Sequence, residues 1–206
     1  DLMFKEYNNI KTIIFVGGTH GNEKSGFLSL KKFNFPNYKN IVIINIPRVN
    51  IYGTQNNLRN NSQNIDMNRF YGNENSDILD IDTKKKLIFI QKQIIKSDYV
   101  IDFHEAKKGF RSRDNKGIGN TIITQNNNFQ SRYIICKLNE NLCEGKLFTL
   151  LKKKKNIKFS LRDFCNQNNI NYSLVEVSKS QKIKKRTAIC KMIITYALEW
   201  LILKNN

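Results

Sequence analysis

The 206-residue chain contains two histidines, His20 and His104. Each follows a short apolar run that reads as a buried strand, residues 13–16 before His20 and residues 99–103 before His104. Glu23 lies three residues beyond His20, where a helical pattern begins. Across such a turn a His and a Glu three apart can converge on one ion, and His104 from a second strand end can complete the set. Two imidazoles and one carboxylate form a recognised catalytic-zinc donor set that leaves a fourth position open. A lone His-x-x-Glu is common and carries little weight. Both histidines of a chain at strand ends carry much more.

A second group of residues could recognise a substrate. Asp66-Met67-Asn68-Arg69 lies in a polar stretch, with Arg59 nine residues before Asn68. An Arg beside an Asn suits a carboxylate, because the guanidinium fork pairs with it bidentately; a structural salt bridge in a polar loop is the competing reading. Glu176 stands between Val175 and Val177 in an apolar strand. Facing inward, it would have a raised pKa and be poised as a general base; facing outward, it is a surface glutamate. The glycines around His20 do not make a phosphate loop, because Glu23 precedes Lys24-Ser25 where that motif requires Gly.

These residues need elements to hold them, and strand-like and helix-like segments alternate. Strands are expected over residues 11–16, 41–46, 99–103, 121–124 and 171–177, and helices over 23–33, 83–96, 129–142, 160–166 and 184–203. Residues 48–77 show no periodicity and read as a long loop, a feature that is usually functional in a compact domain. The alternation predicts an α/β fold of three layers, a mostly parallel mixed sheet with helices on both faces. Ligands in such folds bind beyond the carboxyl ends of the strands, where His20 and His104 fall. One catalytic domain over residues 1–206 is expected.

Composition narrows the classes. Hydrophobic residues make up 40% and aromatics 11%, enough for a core and too much for a disordered chain. No apolar stretch has the ~18 residues of a membrane span. The opening residues lack a signal-peptide pattern, so a cytoplasmic location is expected, although a start on Asp1 rather than Met leaves processing open. Cys136, Cys143, Cys165 and Cys190 include no Cys-x-x-Cys pair and read as reduced core thiols. The net charge is +18, from 35 Lys plus Arg against 17 Asp plus Glu. Such charge attracts anions and nucleic acid. Abundant Lys, Asn and Ile throughout fit an AT-rich coding bias, with clusters only at 152–155 and 182–186.

Taken together, Gly18-Thr19-His20-Gly21-Asn22-Glu23, Asn45-Ile46-Pro47-Arg48, Asp66-Met67-Asn68-Arg69-Phe70, Asp102-Phe103-His104 and Val175-Glu176-Val177 resemble the zinc carboxypeptidase clan. The closest branch is the succinylglutamate desuccinylase/aspartoacylase family, and the pieces occur in its order. The resemblance implies that His20, Glu23 and His104 hold one Zn2+ and that Asn68 and Arg69 bind the substrate's carboxylate. It makes Arg59 the residue that polarises the scissile carbonyl, Glu176 the general base, and Asp66 a carboxylate that orients a zinc histidine. The family usually carries a further small β-rich domain; here about 30 residues follow Glu176 and read as one helix, so an open cleft is expected.

The expected activity is hydrolysis of an amide in a small N-acyl amino acid, with cleavage of peptide C-termini as the alternative. Both take a substrate with a free carboxylate. Lys107, Lys108, Arg111 and Arg113, just past His104, could favour acidic substrates or form a solvated loop. A basic nucleic-acid-binding module with a vestigial site is the reading from another class, disfavoured because basic patches are not interleaved with aromatics. No membrane partner is expected.

Overall fold

Residues 10–73, 76–107, 109, 117–124, 128–152 and 157–205 are described in the computed structural model. Strand β1 (Lys11–Val16) and strand β2 (Ile41–Ile46) flank helix α1 (Lys24–Lys32) in the chain. Then come α2 (Ile51–Asn56), α3 (Ile81–Ile95), β3 (Tyr99–Ala106), β4 (Thr121–Thr124), α4 (Phe129–Asn139), β5 (Thr149–Lys152), α5 (Leu161–Gln167), β6 (Asn171–Ser178) and α6 (Ile183–Asn205). The six strands form one sheet in the order β2-β1-β3-β6-β4-β5. Every pairing is parallel except β4 with β6, so the sheet is mixed, as the sequence pattern predicts.

Both faces of the sheet are covered. Ile13, Phe15, Ile101, Phe103, Val175 and Val177 point one way, into a cluster with Leu30 of α1, Ile134 of α4 and Ile193 of α6. Ile14, Val16, Val100 and Tyr172 point the other way, packing with Leu87, Ile90 and Ile94 of α3 and with Leu161 and Phe164 of α5. Period-2 alternation therefore sorts each strand between two cores. On β3 and β6 the even-numbered residues share the α3–α5 face, and that set includes Asp102, His104 and Glu176.

Several expectations need correction. The long loop is not structureless, because α2 and a short 3-10 turn at Met67–Arg69 lie within it. Asn50 caps α2 by accepting from the Gly53 amide, and Asn57 closes it in the left-handed region at φ 57. Strand β3 does not stop at Phe103 but runs through His104 to Ala106. Strand β5 escaped notice because four residues next to a lysine run show too little alternation. Of the cysteines, Cys165 and Cys190 are buried and Cys136 and Cys143 are exposed, so only two are core thiols. No helix among the described residues is long and apolar enough to cross a membrane. Lys108, Arg111, Arg113 and residues 153–155 lie outside the described residues.

Candidate metal centre

The loop after β1 leads the chain straight to His20. Gly17 donates to the Ile46 carbonyl at 2.9 Å, and Gly18 turns in the left-handed region at φ 63. Gly21 lies against α2 so closely that a Cβ there would come within 1.9 Å of the Gly53 carbonyl carbon. No side chain fits. The Glu23 amide then donates to the His20 carbonyl at 3.0 Å, closing the turn into α1. Glu23 is the residue before that helix, and its side chain makes no capping bond. Its carboxylate turns instead to the histidines.

Three donor groups meet there. Glu23 Oε1 lies 3.1 Å from His20 Nδ1, and Glu23 Oε2 lies 2.9 Å from His104 Nδ1. The two Nδ1 atoms are 3.1 Å apart. His20, Glu23 and His104 are all buried, and one ligand atom from each lies within 4.8 Å of the others. The far nitrogens are engaged elsewhere: His20 Nε2 lies 3.2 Å from Asp66 Oδ1, and His104 Nε2 lies 3.0 Å from Asp102 Oδ2. With a cation bound, a carboxylate behind each imidazole would keep the proton on Nε2 and leave the Nδ1 lone pair for the ion. The donor set therefore fits a divalent cation such as zinc: three converging donors, two of them supported from behind.

Charges in the site follow from this packing. Burial opposes ionisation of Glu23, yet His104 and His20 outweigh it and hold the carboxyl well below the usual carboxylate range. Burial likewise opposes protonation of His104, but Asp102 and Glu23 outweigh it and raise its pKa well above the ordinary value. Asp66 is also driven down against burial, by His20, Arg69 and Arg59. Glu176 behaves in the opposite way. Burial dominates and pushes its carboxyl up to about 7; His104 counteracts this, and Glu23 adds to it. Such a value suits a group that takes and returns a proton near neutrality.

The arginines stand at the rim. Arg59 Nη2 donates to Asp66 Oδ2 at 3.1 Å, and its Nη1 lies 3.5 Å from Glu23 Oε1. Its backbone carbonyl accepts from Gly21 at 3.3 Å and from Asn50 Nδ2 at 3.2 Å, which ties the long loop to the His20 turn. Arg69 lies 3.6 Å from the same Asp66 oxygen and donates to the Asn68 carbonyl at 2.5 Å. Asn68 Oδ1 accepts from the Leu161 amide at 2.8 Å, so its side chain is anchored to α5. The structure thus gathers His20, Glu23, His104, Asp66 and Arg59 directly and sets Arg69 beside them through Asp66. Asp102 and Tyr172 went unassigned in the sequence. For Asp102 a signal existed: two residues before His104 on a strand means the same face.

Residues 9–114, just over half of the chain, match the succinylglutamate desuccinylase/aspartoacylase catalytic domain. The chain belongs to this family. No curated protein matches it in sequence. Among solved structures, tripeptide-bound cell shape determinant Csd4 of Helicobacter pylori aligns at TM-score 0.80 and 17% identity, covering 96% of this chain and 52% of that one. A form of Csd4 bound to mDAP, described as a D,L-carboxypeptidase, aligns at TM-score 0.78 and 17% identity, with the same coverage. A candidate metallopeptidase from Shewanella amazonensis aligns at 0.68 and 16%, covering 94% of this chain and 77% of that one. These likenesses show a zinc carboxypeptidase-like fold. The chain spans about half the length of Csd4.

Proposed function

We propose that this chain is a zinc-dependent hydrolase that cleaves an amide bond in a small substrate bearing a free carboxylate. The observation that carries the reading is the convergence of His20 Nδ1, His104 Nδ1 and the Glu23 carboxylate, with Glu176 on the strand beside His104. When bound, zinc supplies Lewis acidity and makes water nucleophilic near neutral pH. The protein's own groups do the rest. Glu176 takes the proton of the attacking water and returns it to the leaving amine. Arg59 offers its guanidinium to the negative charge that develops on the carbonyl oxygen. Arg69, beside Asn68, holds the substrate carboxylate, while Asp66 keeps both arginines and His20 in place.

Two substrate classes share this chemistry. A short peptide cleaved at its carboxyl end is favoured by the open rim. The side chains of Arg59 and Arg69 are 43% and 37% exposed, which leaves the rim around Asp66 accessible to an extended substrate. Tripeptide-bound Csd4, which shares the fold, supports this choice. An N-acyl amino acid is the second reading, supported by the family match.

Zinc-loaded protein incubated with short peptides and with N-acyl amino acids, each as free acid and as C-terminal amide, tests the proposal. Release of a free amino acid from the acids and not from the amides is expected. Turnover of no substrate, or equal turnover of acids and amides, would contradict it.

A further inference from the structure

Behind His104 lies a buried polar chain that the reaction as described does not use. The Tyr172 hydroxyl donates to Asp102 Oδ2 at 2.7 Å, and the same oxygen lies 3.0 Å from His104 Nε2. Exposure falls from 5% at Tyr172 and 4% at His104 to 0% at Asp102 between them. We propose that Tyr172 is a positioning residue of the metal centre, acting on His104 through Asp102. The inference rests on the metal-centre reading given above.

Strand geometry explains why a tyrosine serves. In the β3–β6 register Tyr172 pairs with Val100 and Asp102 pairs with Leu174. Tyr172 and Asp102 are therefore diagonal neighbours on one face, a separation that only a long side chain spans. Asp102 Oδ1 has no hydrogen-bond partner among the described residues, so Oδ2 receives both donors. Without the hydroxyl, His104 would be the single donor holding a fully buried carboxylate. The carboxylate would then be held less firmly, and the imidazole would keep a partner whose orientation is less well fixed. Carboxylates of this kind tune ligand basicity, and their loss typically weakens metal binding by about tenfold or more.

Two other roles for Tyr172 can be set apart. A mobile tyrosine closing over substrate needs exposure, whereas Tyr172 is buried at the opposite end of β6 from Glu176. A purely space-filling ring would pack among Leu161, Phe164 and Cys165 equally well as phenylalanine. The hydroxyl decides between filling and positioning. Tyr71 provides the comparison: its ring lies in the same apolar cluster and its hydroxyl senses the Asp102 charge, yet that buried hydroxyl makes no hydrogen bond among the described residues, so the pair separates a bonded hydroxyl from a merely neighbouring one.

The experiment measures the Zn2+ dissociation constant of the full chain by competition with a chromophoric chelator, for wild type, Tyr172→Phe and Tyr71→Phe. Nitrogen NMR of the His104 ring accompanies it. Tyr172→Phe is expected to bind zinc about tenfold more weakly, with faster exchange of the His104 Nε2 proton. Tyr71→Phe is expected to stay within about twofold of wild type, since it loses no hydrogen bond. Equal zinc affinity in Tyr172→Phe and wild type would overturn the positioning role alone. A wild type that binds no zinc would overturn the metal-centre reading, and this role with it. Should Tyr172→Phe fail to fold, the wild-type hydroxyl proton decides: a slowly exchanging downfield signal with a cross-peak to His104 is expected, and its absence would overturn the role.

Discussion

His104 and Glu176 are register partners on adjacent parallel strands, β3 and β6. This pairing brings a metal-ligand candidate and a base candidate together from positions 72 residues apart in sequence. It also fixes the face. A slip of one residue would send the Glu176 side chain into the core shared by α1, α4 and α6 and leave Val175 or Val177 beside the donors. The apolar residues on either side of Glu176 hold the register, since Val175 and Val177 are both 0% exposed on that opposite face.

If Glu176 moves protons and binds no metal, Glu176→Gln should abolish turnover while leaving zinc content unchanged. Elemental analysis beside an activity assay separates the two. Loss of zinc in the variant would show that Glu176 supports the donor set rather than the proton transfer.

Glu176 should also leave a mark on stability in the metal-free protein. Its folded-state pKa of about 7 stands above the ordinary 4.5, mainly through burial. Between those values the folded chain holds more protons than the unfolded one, so this group's contribution to stability falls as pH rises. The full effect amounts to about 3 kcal/mol at most, reached above pH ~7. Melting curves of wild type and Glu176→Gln should therefore diverge in favour of the variant from about pH 5 to pH 8. A gap that stays constant over this range would contradict the raised carboxyl.

How much of this was legible in the sequence follows from the range of each interaction. The His20–Glu23 turn is local, and the apolar runs before His20 and His104 announce the strands that bring them to one end of the sheet. Register is not local. That Glu176 lies beside His104, or that Tyr172 reaches Asp102, depends on which strands pair and in what alignment, and no short-range pattern states it. The position of Arg59 is set by its backbone carbonyl, which accepts from the Gly21 amide and the Asn50 side chain, and sequence spacing does not reveal this. Strand β5 failed to stand out because a four-residue edge strand is stabilised by its pairing with β4 rather than by its own residues.

The two rim arginines should fail in different ways. If Arg59 steadies the developing oxyanion, Arg59→Ala should lower kcat by about 10²-fold. If Arg69 holds the substrate carboxylate in the ground state, Arg69→Ala should raise KM by about tenfold or more with little change in kcat. Steady-state kinetics on a carboxylate substrate distinguishes them. The reverse pattern would exchange the two roles, and no effect from Arg69→Ala would place the carboxylate elsewhere. Because both arginines share Asp66, the double variant should be less than additive.

The central claim is that His20, Glu23 and His104 hold a metal ion. Elemental analysis of the purified chain after zinc reconstitution and removal of excess, wild type beside His104→Ala, tests it most directly. Zinc bound stoichiometrically by the wild type and lost from the variant is the expected result. A wild type that retains no zinc, or a His104→Ala protein that retains as much as the wild type, would contradict the account.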